Sequence, residues 1–272
     1  MENNLNLLSL AIKAAVIAGK EILQVYSREI TVELKEDKSP LTEADKRSHI
    51  KIMEMLESSG LPVLSEEGRD IPFDERNSWK AFWLVDPLDG TKEFIRRNGE
   101  FTVNIALIKN GIPVMGVIYA PVMDALYFAC DGIGSFKVQA DPDHLTHLIQ
   151  SHHIADRLIQ LGSKLPIQGE QRIYTVVASR SHMTDETAAF IEGLKQKHGE
   201  VNLVSKGSSL KLCLVAEGTA DIYPRFAPTM EWDTAAGQAI AMYAGLEVIN
   251  AHDQSPVQYN KSDLLNPWFI VQ

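Results

Sequence analysis

The hydrophobic positions of the chain alternate between helical and strand spacing. Leu8, Ile12, Ala15, Ile22 and Val25 recur near a helical period and predict an amphipathic first helix. Further helices are predicted at about residues 42–57, 184–196, 209–217 and 234–243. Strand patterns occur at residues 30–34, 62–65, 81–85, 102–108, 114–119, 125–129, 134–138, 173–178, 201–204, 220–223, 247–249 and 268–271.

The order of these elements predicts a mixed α/β (α+β) fold with two sheet regions. Four consecutive strands between residues 102 and 138 indicate an antiparallel meander, so residues 1–138 are expected to form an α+β domain with a partly antiparallel sheet. Residues 139–170 break the pattern and are interpreted as a connection with one short helix. Residues 171–272 are expected to form an α/β domain that completes the site.

Composition excludes several classes of protein. The 272 residues carry 26 Lys plus Arg and 36 Asp plus Glu, a formal net charge of −10, which disfavours nucleic acid as a partner. The apolar first helix opens with Met1-Glu2-Asn3 and contains Lys13, Lys20 and Glu21, unlike a signal peptide or an integral membrane segment. A cytoplasmic location is therefore expected.

An acidic turn follows the apolar run Trp83-Leu84-Val85. The run delivers Asp86 to a strand end, Pro87 is expected to stop the strand, and Asp89-Gly90 indicates a turn. Thr91 is a candidate N-cap for a helix that starts at Lys92. Both aspartates, with the Leu88 carbonyl between them, can converge on one point, and such hard oxygen donors suit Mg²⁺ or Mn²⁺.

Three other acidic segments stand at predicted strand ends or helix starts: Glu66-Glu67, Glu43-Ala44-Asp45 and Glu231-Trp232-Asp233. Each has a structural alternative, since Asp233 can simply cap a helix and Glu66-Glu67 can be a solvated face. Two carboxylates at about 4 Å repel by roughly 4 kcal/mol at an effective dielectric near 20. If the carboxylates converge, a bound cation is therefore the simplest explanation.

These segments carry a resemblance. The motif Asp86-Pro87-Leu88-Asp89-Gly90-Thr91, with Glu66-Glu67 upstream and Trp232-Asp233 downstream, resembles the inositol monophosphatase superfamily of lithium-sensitive, magnesium-dependent phosphatases. The matching elements extend from residue 42 to residue 237. The resemblance implies a layered αβαβα fold and a phosphoric monoester hydrolase. It leaves open a monomer or a homodimer, and a peripheral association with the inner face of the cytoplasmic membrane.

The resemblance also implies a site. Two or three Mg²⁺ ions, with Mn²⁺ as a possible substitute, would be held by Glu66, Asp86, the Leu88 carbonyl, Asp89 and Asp233. Thr91 paired with Asp45 would orient and deprotonate the attacking water, and Glu66 would take part in catalysis. Gly90 and Thr91 would offer backbone amides to the phosphate.

Residues 89–94, 179–182 and 207–211 most resemble the members of the superfamily that hydrolyse nucleoside bisphosphates. This implies removal of the 3′-phosphate of adenosine 3′,5′-bisphosphate, and also of 3′-phosphoadenylyl sulfate, in sulfur metabolism. The small-molecule nucleotide would contact Gly90, Thr91, Ser179, His182, Gly207, Ser208, Ser209, Lys211 and Asp233. Alternatives are that a serine of 208–209 only caps a helix and that Lys211 is an exposed helix residue.

Two other functions stay open at this point. One is an inositol monophosphatase or another sugar phosphatase of the same fold. The other is a non-catalytic sensor of metal or nucleotide, which the presence of both Asp45 and Thr91 disfavours because binding alone requires neither residue.

Overall fold

A 25-residue helix, α1 (Glu2–Tyr26), opens the fold and confirms the predicted first helix. The computed structural model describes residues 2–29, 32–34, 40–151, 154–167, 169, 172–178 and 183–272. The further helices in these ranges are α2 (Glu43–Leu56), α3 (Phe73–Arg76), α4 (Thr91–Ile95), α5 (Pro142–Leu148), α6 (Ile154–Leu161), α7 (Asp185–His198), α8 (Leu210–Ala216) and α9 (Glu231–Tyr243). No helix in the described ranges is long and apolar enough to cross a membrane.

The larger sheet has seven strands in the order β3-β4-β5-β6-β7-β8-β9, and its pairs are antiparallel except for the parallel pair β3–β4. Its strands are β3 (Val63–Ser65), β4 (Ala81–Asp89), β5 (Thr102–Lys109), β6 (Ile112–Ala120), β7 (Ala125–Cys130), β8 (Gly134–Gln139) and β9 (Ser163–Lys164). A separate short hairpin pairs β1 (Val32–Leu34) with β2 (Pro40–Thr42) just before α2.

The second sheet region lies in the C-terminal half. The strands β12 (Tyr223–Arg225), β14 (Phe269–Val271) and β13 (Val248–Asn250) form an antiparallel sheet in that order. The parallel pair β10 (Tyr174–Ala178) and β11 (Val201–Ser205) adjoins it through a bridge between Val176 and Ile222.

The packing of these elements gives five layers. Helices α1 and α2 cover one face of the larger sheet, and α9 covers the other. Helices α8 and α9 also pack against the second sheet, whose opposite face carries α7. At Gly116 of β6 a Cβ would lie 2.3 Å from the Ala236 carbonyl oxygen of α9, so only glycine allows this close approach. The predicted αβαβα architecture is confirmed.

The structure corrects the prediction that Pro87 stops its strand. Strand β4 continues to Asp89, and its register with β5 shifts between the pairs Asp86–Asn104 and Asp89–Thr102. This bulge accommodates Pro87, which has no amide hydrogen to give to the ladder. Gly90, the glycine of the turn, has a φ of 92° and occupies the N-cap position of α4. The helix therefore begins at Thr91, and the prediction that Thr91 is the N-cap is wrong.

Residues 139–170 contain more structure than the single short helix predicted for them. Both α5 and α6 lie here, and Leu145, Ile154 and Leu158 join the core beneath α1. Strand β9 extends the larger sheet by pairing with β8. Much of this segment therefore belongs to the packing of the first sheet, and the division into two domains stays a prediction.

Candidate active site

Two parallel strands end at one edge of the larger sheet. Strands β3 and β4 run in the same direction, so Glu66 after β3 and Asp86 near the end of β4 lie side by side. The Glu66 amide donates to the Val85 carbonyl at 3.1 Å, which fixes the backbone of Glu66 against β4. Strand pairing thereby brings together two carboxylates that lie far apart in the sequence.

Asp86 is the most deeply buried of the predicted metal ligands, with 1% of its surface exposed. Burial raises the pKa of this carboxyl well above its usual range because the anion loses its hydration. Three further carboxylates add to the increase by repulsion: Glu66, Asp89 and Asp233. The four predicted acidic ligands therefore share one neighbourhood, at a large electrostatic cost in the metal-free protein.

Asp233 reaches this neighbourhood from a different element, the helix α9. It lies in the first turn of α9, where its Oδ2 accepts a hydrogen bond from the Met230 amide at 2.8 Å. Burial, followed by repulsion from Asp89, raises the pKa of Asp233 to about 8. The carboxylate thus both caps its helix and faces the other acids, so the two interpretations of Asp233 are compatible.

The donor chemistry fits a divalent cation. Within the described ranges, no three acidic, histidine or cysteine side chains already stand close enough together to hold a metal ion. However, buried carboxylates that repel one another are stable as anions only with a compensating positive charge. Carboxylate and carbonyl oxygens are the ligands that Mg²⁺ prefers. Small side-chain movements around a bound Mg²⁺ would relieve the repulsion that raises the pKa values of Asp86 and Asp233.

One oxygen of Asp89 is fully engaged by the protein. Its Oδ2 accepts from the Ser209 amide at 2.6 Å, the Ser209 hydroxyl at 2.5 Å and the Asn104 side chain at 3.2 Å. Sequence reasoning missed Asn104, although a polar residue within the apolar run of β5 was a usable signal. The strand register places it opposite Asp86.

Thr91 and Asp45 meet although 46 residues separate them. The Thr91 hydroxyl donates to Asp45 Oδ1 at 3.2 Å, while the Thr42 amide and hydroxyl occupy Asp45 Oδ2 at 2.7 and 2.6 Å. Burial raises the pKa of Asp45 and outweighs the opposing effect of the Thr42 hydrogen bonds. The buried carboxylate of Asp45 is therefore oriented toward the Thr91 hydroxyl, which follows the acidic turn at Asp86 and Asp89.

The loop before α8 closes over the turn at Gly90. The Ser208 hydroxyl donates to the carbonyl oxygens of Asp89 and Glu100, at 2.8 and 2.7 Å. A Cβ at Gly90 would lie 2.1 Å from Ser208 Oγ, so no larger residue fits there. The Gly207 amide donates to Glu100 at 2.9 Å, and this contact fixes the start of the loop.

Lys211 is buried beside the cleft rather than exposed on α8. Its ammonium donates to the Ser208 carbonyl at 2.6 Å and approaches the Lys206 carbonyl at 3.3 Å. Burial lowers the pKa of Lys211 to about 8, against a partly opposing attraction from Asp89. The interpretation of Lys211 as an exposed helix residue is therefore wrong.

A second buried cation, Arg225, was not anticipated from the sequence. It ends β12, is 9% exposed and lines the same cleft as Gly90, Lys211 and Asp233. One guanidinium nitrogen donates to the Pro228 carbonyl at 3.0 Å, but Arg225 Nε is buried without a hydrogen-bond partner among the described residues. Its position at the end of an otherwise apolar strand is the sequence feature that could have predicted a functional role for Arg225.

The structure therefore gathers most of the predicted site around one cleft. The residues that it brings together are Asp45, Glu66, Asp86, Leu88, Asp89, Gly90, Thr91, Gly207, Ser208, Ser209, Lys211 and Asp233. Ser179 and His182 lie outside the described residues. Glu67, which was not included among the ligands, raises the pKa of Asp45 by repulsion and so stands near the Thr91–Asp45 pair.

The chain belongs to the inositol monophosphatase family, whose model matches residues 3–268. The resemblance proposed from the acidic motifs is thereby confirmed. Several relatives carry the name of a particular enzyme of that family.

One relative is a 3′(2′),5′-bisphosphate nucleotidase, CysQ, of Salmonella typhimurium, which is 45% identical over 259 residues, or 93% of this chain and 94% of the relative. Another is the crystal structure of CysQ from Bacteroides thetaiotaomicron, 51% identical, with a TM-score of 0.88 over 97% of this chain and 95% of that one. The Thermotoga maritima IMPase structure, at 22% identity and a TM-score of 0.73 over 100% and 92% of the two chains, shares the fold.

Proposed function

We propose that this chain is a magnesium-dependent 3′(2′),5′-bisphosphate nucleotidase that removes the 3′-phosphate of adenosine 3′,5′-bisphosphate to give AMP and phosphate. The observation that carries the proposal is a single cleft lined both by two carboxylates, Asp89 and Asp233, and by two buried cations, Lys211 and Arg225. A substrate with two phosphates, one hydrolysed at the metal and one retained by the cations, matches both kinds of group. The relatives named CysQ support the same activity. The sulfated nucleotide 3′-phosphoadenylyl sulfate is a second proposed substrate.

The carboxylates would hold the metal. Glu66, Asp86, Asp89 and Asp233 would be the side-chain ligands, and the Leu88 carbonyl would be the backbone ligand. When bound, Mg²⁺ supplies positive charge that lowers the pKa of coordinated water and stabilises the departing oxygen. Two or three ions are proposed for this ligand set, and Mn²⁺ is proposed as a substitute.

The Thr91–Asp45 pair would then handle the proton of the attacking water. The threonine hydroxyl can accept that proton while its own proton passes along the hydrogen bond to Asp45 Oδ1. The raised pKa of Asp45 makes this carboxylate a better proton acceptor than a solvated aspartate. The Gly90 and Thr91 amides, at a turn with positive φ, would orient the scissile phosphate.

The two buried cations would hold the rest of the nucleotide. Arg225 lines the cleft and has a buried Nε–H with no partner among the described residues, and a guanidinium donor is a strong partner for a phosphate oxygen. Lys211 adds a compact positive charge, and Gly207 and Ser208 form the adjoining wall. Ser179 and His182 are proposed to contact the nucleoside, on the resemblance of residues 179–182.

The decisive experiment compares substrates under identical conditions. Purified protein is assayed for phosphate release from adenosine 3′,5′-bisphosphate and from inositol 1-phosphate, with Mg²⁺ and then with EDTA or Li⁺. We expect faster turnover of the bisphosphate, dependence on Mg²⁺ and inhibition by Li⁺. Faster turnover of the inositol ester would overturn the proposal, and no release with any divalent metal would favour a sensor.

Arg225→Gln is predicted to weaken binding of the bisphosphate and to spare a substrate with one phosphate. A hydrogen bond to a charged group contributes about 1.5–3 kcal/mol, so KM for adenosine 3′,5′-bisphosphate should rise by roughly 10- to 100-fold. KM for 3′-AMP, which lacks the 5′-phosphate, should change less than about threefold. Steady-state kinetics on both substrates measures the difference, with the exposed Arg69→Gln as the matched control. An equal increase in KM for both substrates would mean that Arg225 does not bind the 5′-phosphate.

Lys211 is predicted to make nucleotide binding pH-dependent. Its pKa is lowered to about 8, so the ammonium loses its proton, and the attraction for phosphate falls, as the pH rises through that value. KM should therefore increase between pH 7 and 9 in the native protein. The Lys211→Arg variant stays charged over this pH range, so the increase in KM should be absent from it. If Lys211→Ala lowered kcat without raising KM, the assigned role would be wrong.

A further inference from the structure

A chain of buried polar side chains ends on Asp89. The Thr102 hydroxyl donates to Asn104 Oδ1 at 2.9 Å, and Asn104 Nδ2 donates to Ser209 Oγ at 2.7 Å and to Asp89 Oδ2 at 3.2 Å. Thr102 and Asn104 lie on β5, whereas Ser209 precedes α8 more than 100 residues later. All three are at most 2% exposed, so solvent does not replace these contacts.

The hydrogen bonds divide the two oxygens of Asp89 between different tasks. Oδ2 accepts from the Ser209 amide, the Ser209 hydroxyl and Asn104, which saturates its accepting capacity. No hydrogen bond to Oδ1 is found within the described part of the chain, while Asp89 acts by repulsion on the neighbouring carboxylates Asp86 and Asp233. A carboxylate anchored through one oxygen has little freedom to rotate, which leaves the other oxygen oriented in advance for a cation.

Ser209 also connects two segments that carry proposed ligands. Its hydroxyl lies 2.5 Å from Asp89 Oδ2 and 2.8 Å from the Asp233 carbonyl oxygen at the start of α9. The hydroxyl has one proton, and the charged acceptor, Asp89, forms the stronger bond. Both of the polar groups of Ser209 are therefore engaged by Asp89, which leaves neither of them directed at a ribose or a phosphate.

We propose that Asn104 and Ser209 are positioning residues, which hold Asp89 so that its free oxygen meets Mg²⁺ and thereby set the affinity for the metal. Ser209 acts on the metal site rather than on the nucleotide. The inference concerns cation binding in the absence of substrate. It is therefore tested separately from the identity of the nucleotide.

The test measures metal binding without catalysis. The full chain and its Ser209→Ala variant are titrated with Mg²⁺ alone by calorimetry, and with Mn²⁺ alone as a second probe. Hydrogen-bond partners of metal ligands typically change affinity by 10- to 100-fold, and the two remaining donors to Oδ2 place the expected rise in Kd near about 10-fold. Asn104→Ala, which acts from the strand side, should raise Kd by about the same factor and gives an independent measurement if one variant fails to fold.

Two controls separate positioning from general damage. Ser209→Thr retains the hydroxyl and should restore affinity to within about threefold of the native chain. Ser135→Ala removes a buried hydroxyl of β8 that has no hydrogen-bond partner among the described residues, and should leave Kd unchanged. A Ser209→Ala Kd within twofold of the native value would overturn the proposal. So would a variant whose sole defect is a higher KM for adenosine 3′,5′-bisphosphate at saturating Mg²⁺, because that outcome assigns Ser209 to the substrate.

Discussion

Asp86→Asn is expected to abolish phosphatase activity and, at the same time, to make the metal-free protein more stable. Burial, and then repulsion from Glu66, Asp89 and Asp233, raises the pKa of the native carboxyl, so folding without metal crowds like charges together. The amide removes one of these charges and keeps its shape. Its oxygen can still accept from the Leu88 amide, which donates to Asp86 Oδ1 at 3.0 Å.

The two effects have different magnitudes. A metal contributes several kcal/mol of charge stabilisation to the reaction, and a loss of about 4 kcal/mol corresponds to a roughly 1,000-fold lower kcat/KM. Relief of repulsion should raise the free energy of unfolding in EDTA by about 1–3 kcal/mol, since one pair of charges at contact costs about 1–4 kcal/mol at the relevant dielectric. For a chain of this size that is roughly 2–4 °C in Tm per kcal/mol.

Thermal unfolding in EDTA and in excess Mg²⁺ measures the stability half of this prediction. The native chain should gain stability with Mg²⁺ because a ligand that binds only the folded state shifts the equilibrium, whereas Asp86→Asn should respond weakly. The order of the two Tm values should therefore reverse between the two conditions. Asp131→Asn, which removes an exposed acid of the β7–β8 turn, is the matched control. A variant less stable than the native chain in EDTA would contradict convergence of the four carboxylates.

Periodicity predicted the elements of the fold better than their ends. The helical spacing of α1 and the apolar runs of β5 to β8 reflect burial on one or both faces, which the sequence pattern indicates directly. The continuation of β4 through Pro87 was not predictable from the sequence. A bulge against β5 allows the strand to continue without a hydrogen bond from Pro87, and whether a bulge forms depends on the partner strand. One helix was predicted where the structure has two, α5 and α6, because their burial comes from packing beneath α1.

The residues of the candidate site likewise differ in how far the sequence alone predicts their positions. Asp86, Asp89 and Gly90 lie within one turn, so their convergence follows from local geometry. The approach of Asp233 from α9 depends on how α9 packs between the two sheets, and spacing along the chain contains no such information. Asn104 and Arg225 were missed for the same reason, since each looks like an isolated polar residue in an apolar strand until the tertiary structure gives it a neighbour.

Thr91→Ala is expected to lower kcat strongly and to leave the metal almost untouched. Thr91 donates to Asp45 at 3.2 Å and approaches the Leu88 carbonyl oxygen at 3.5 Å, but it contributes no carboxylate to the acidic neighbourhood. General acid–base groups typically contribute about 100- to 10,000-fold to a rate, so kcat should fall within that range. The Kd for Mg²⁺ without substrate should change less than about threefold, in contrast to Ser209→Ala.

The paired variants then test whether the threonine acts through Asp45. Thr91→Ser keeps the hydroxyl and should recover most of kcat, while Asp45→Asn keeps the shape of the acceptor but cannot take the proton. If Thr91 and Asp45 work as one unit, the double variant Thr91→Ala, Asp45→Asn should be no slower than the worse single variant, because groups that act together are not additive. Additive losses would mean that the two residues act independently. In that case, the hydrogen bond between Thr91 and Asp45 would serve only the packing of α2 against the turn that begins α4.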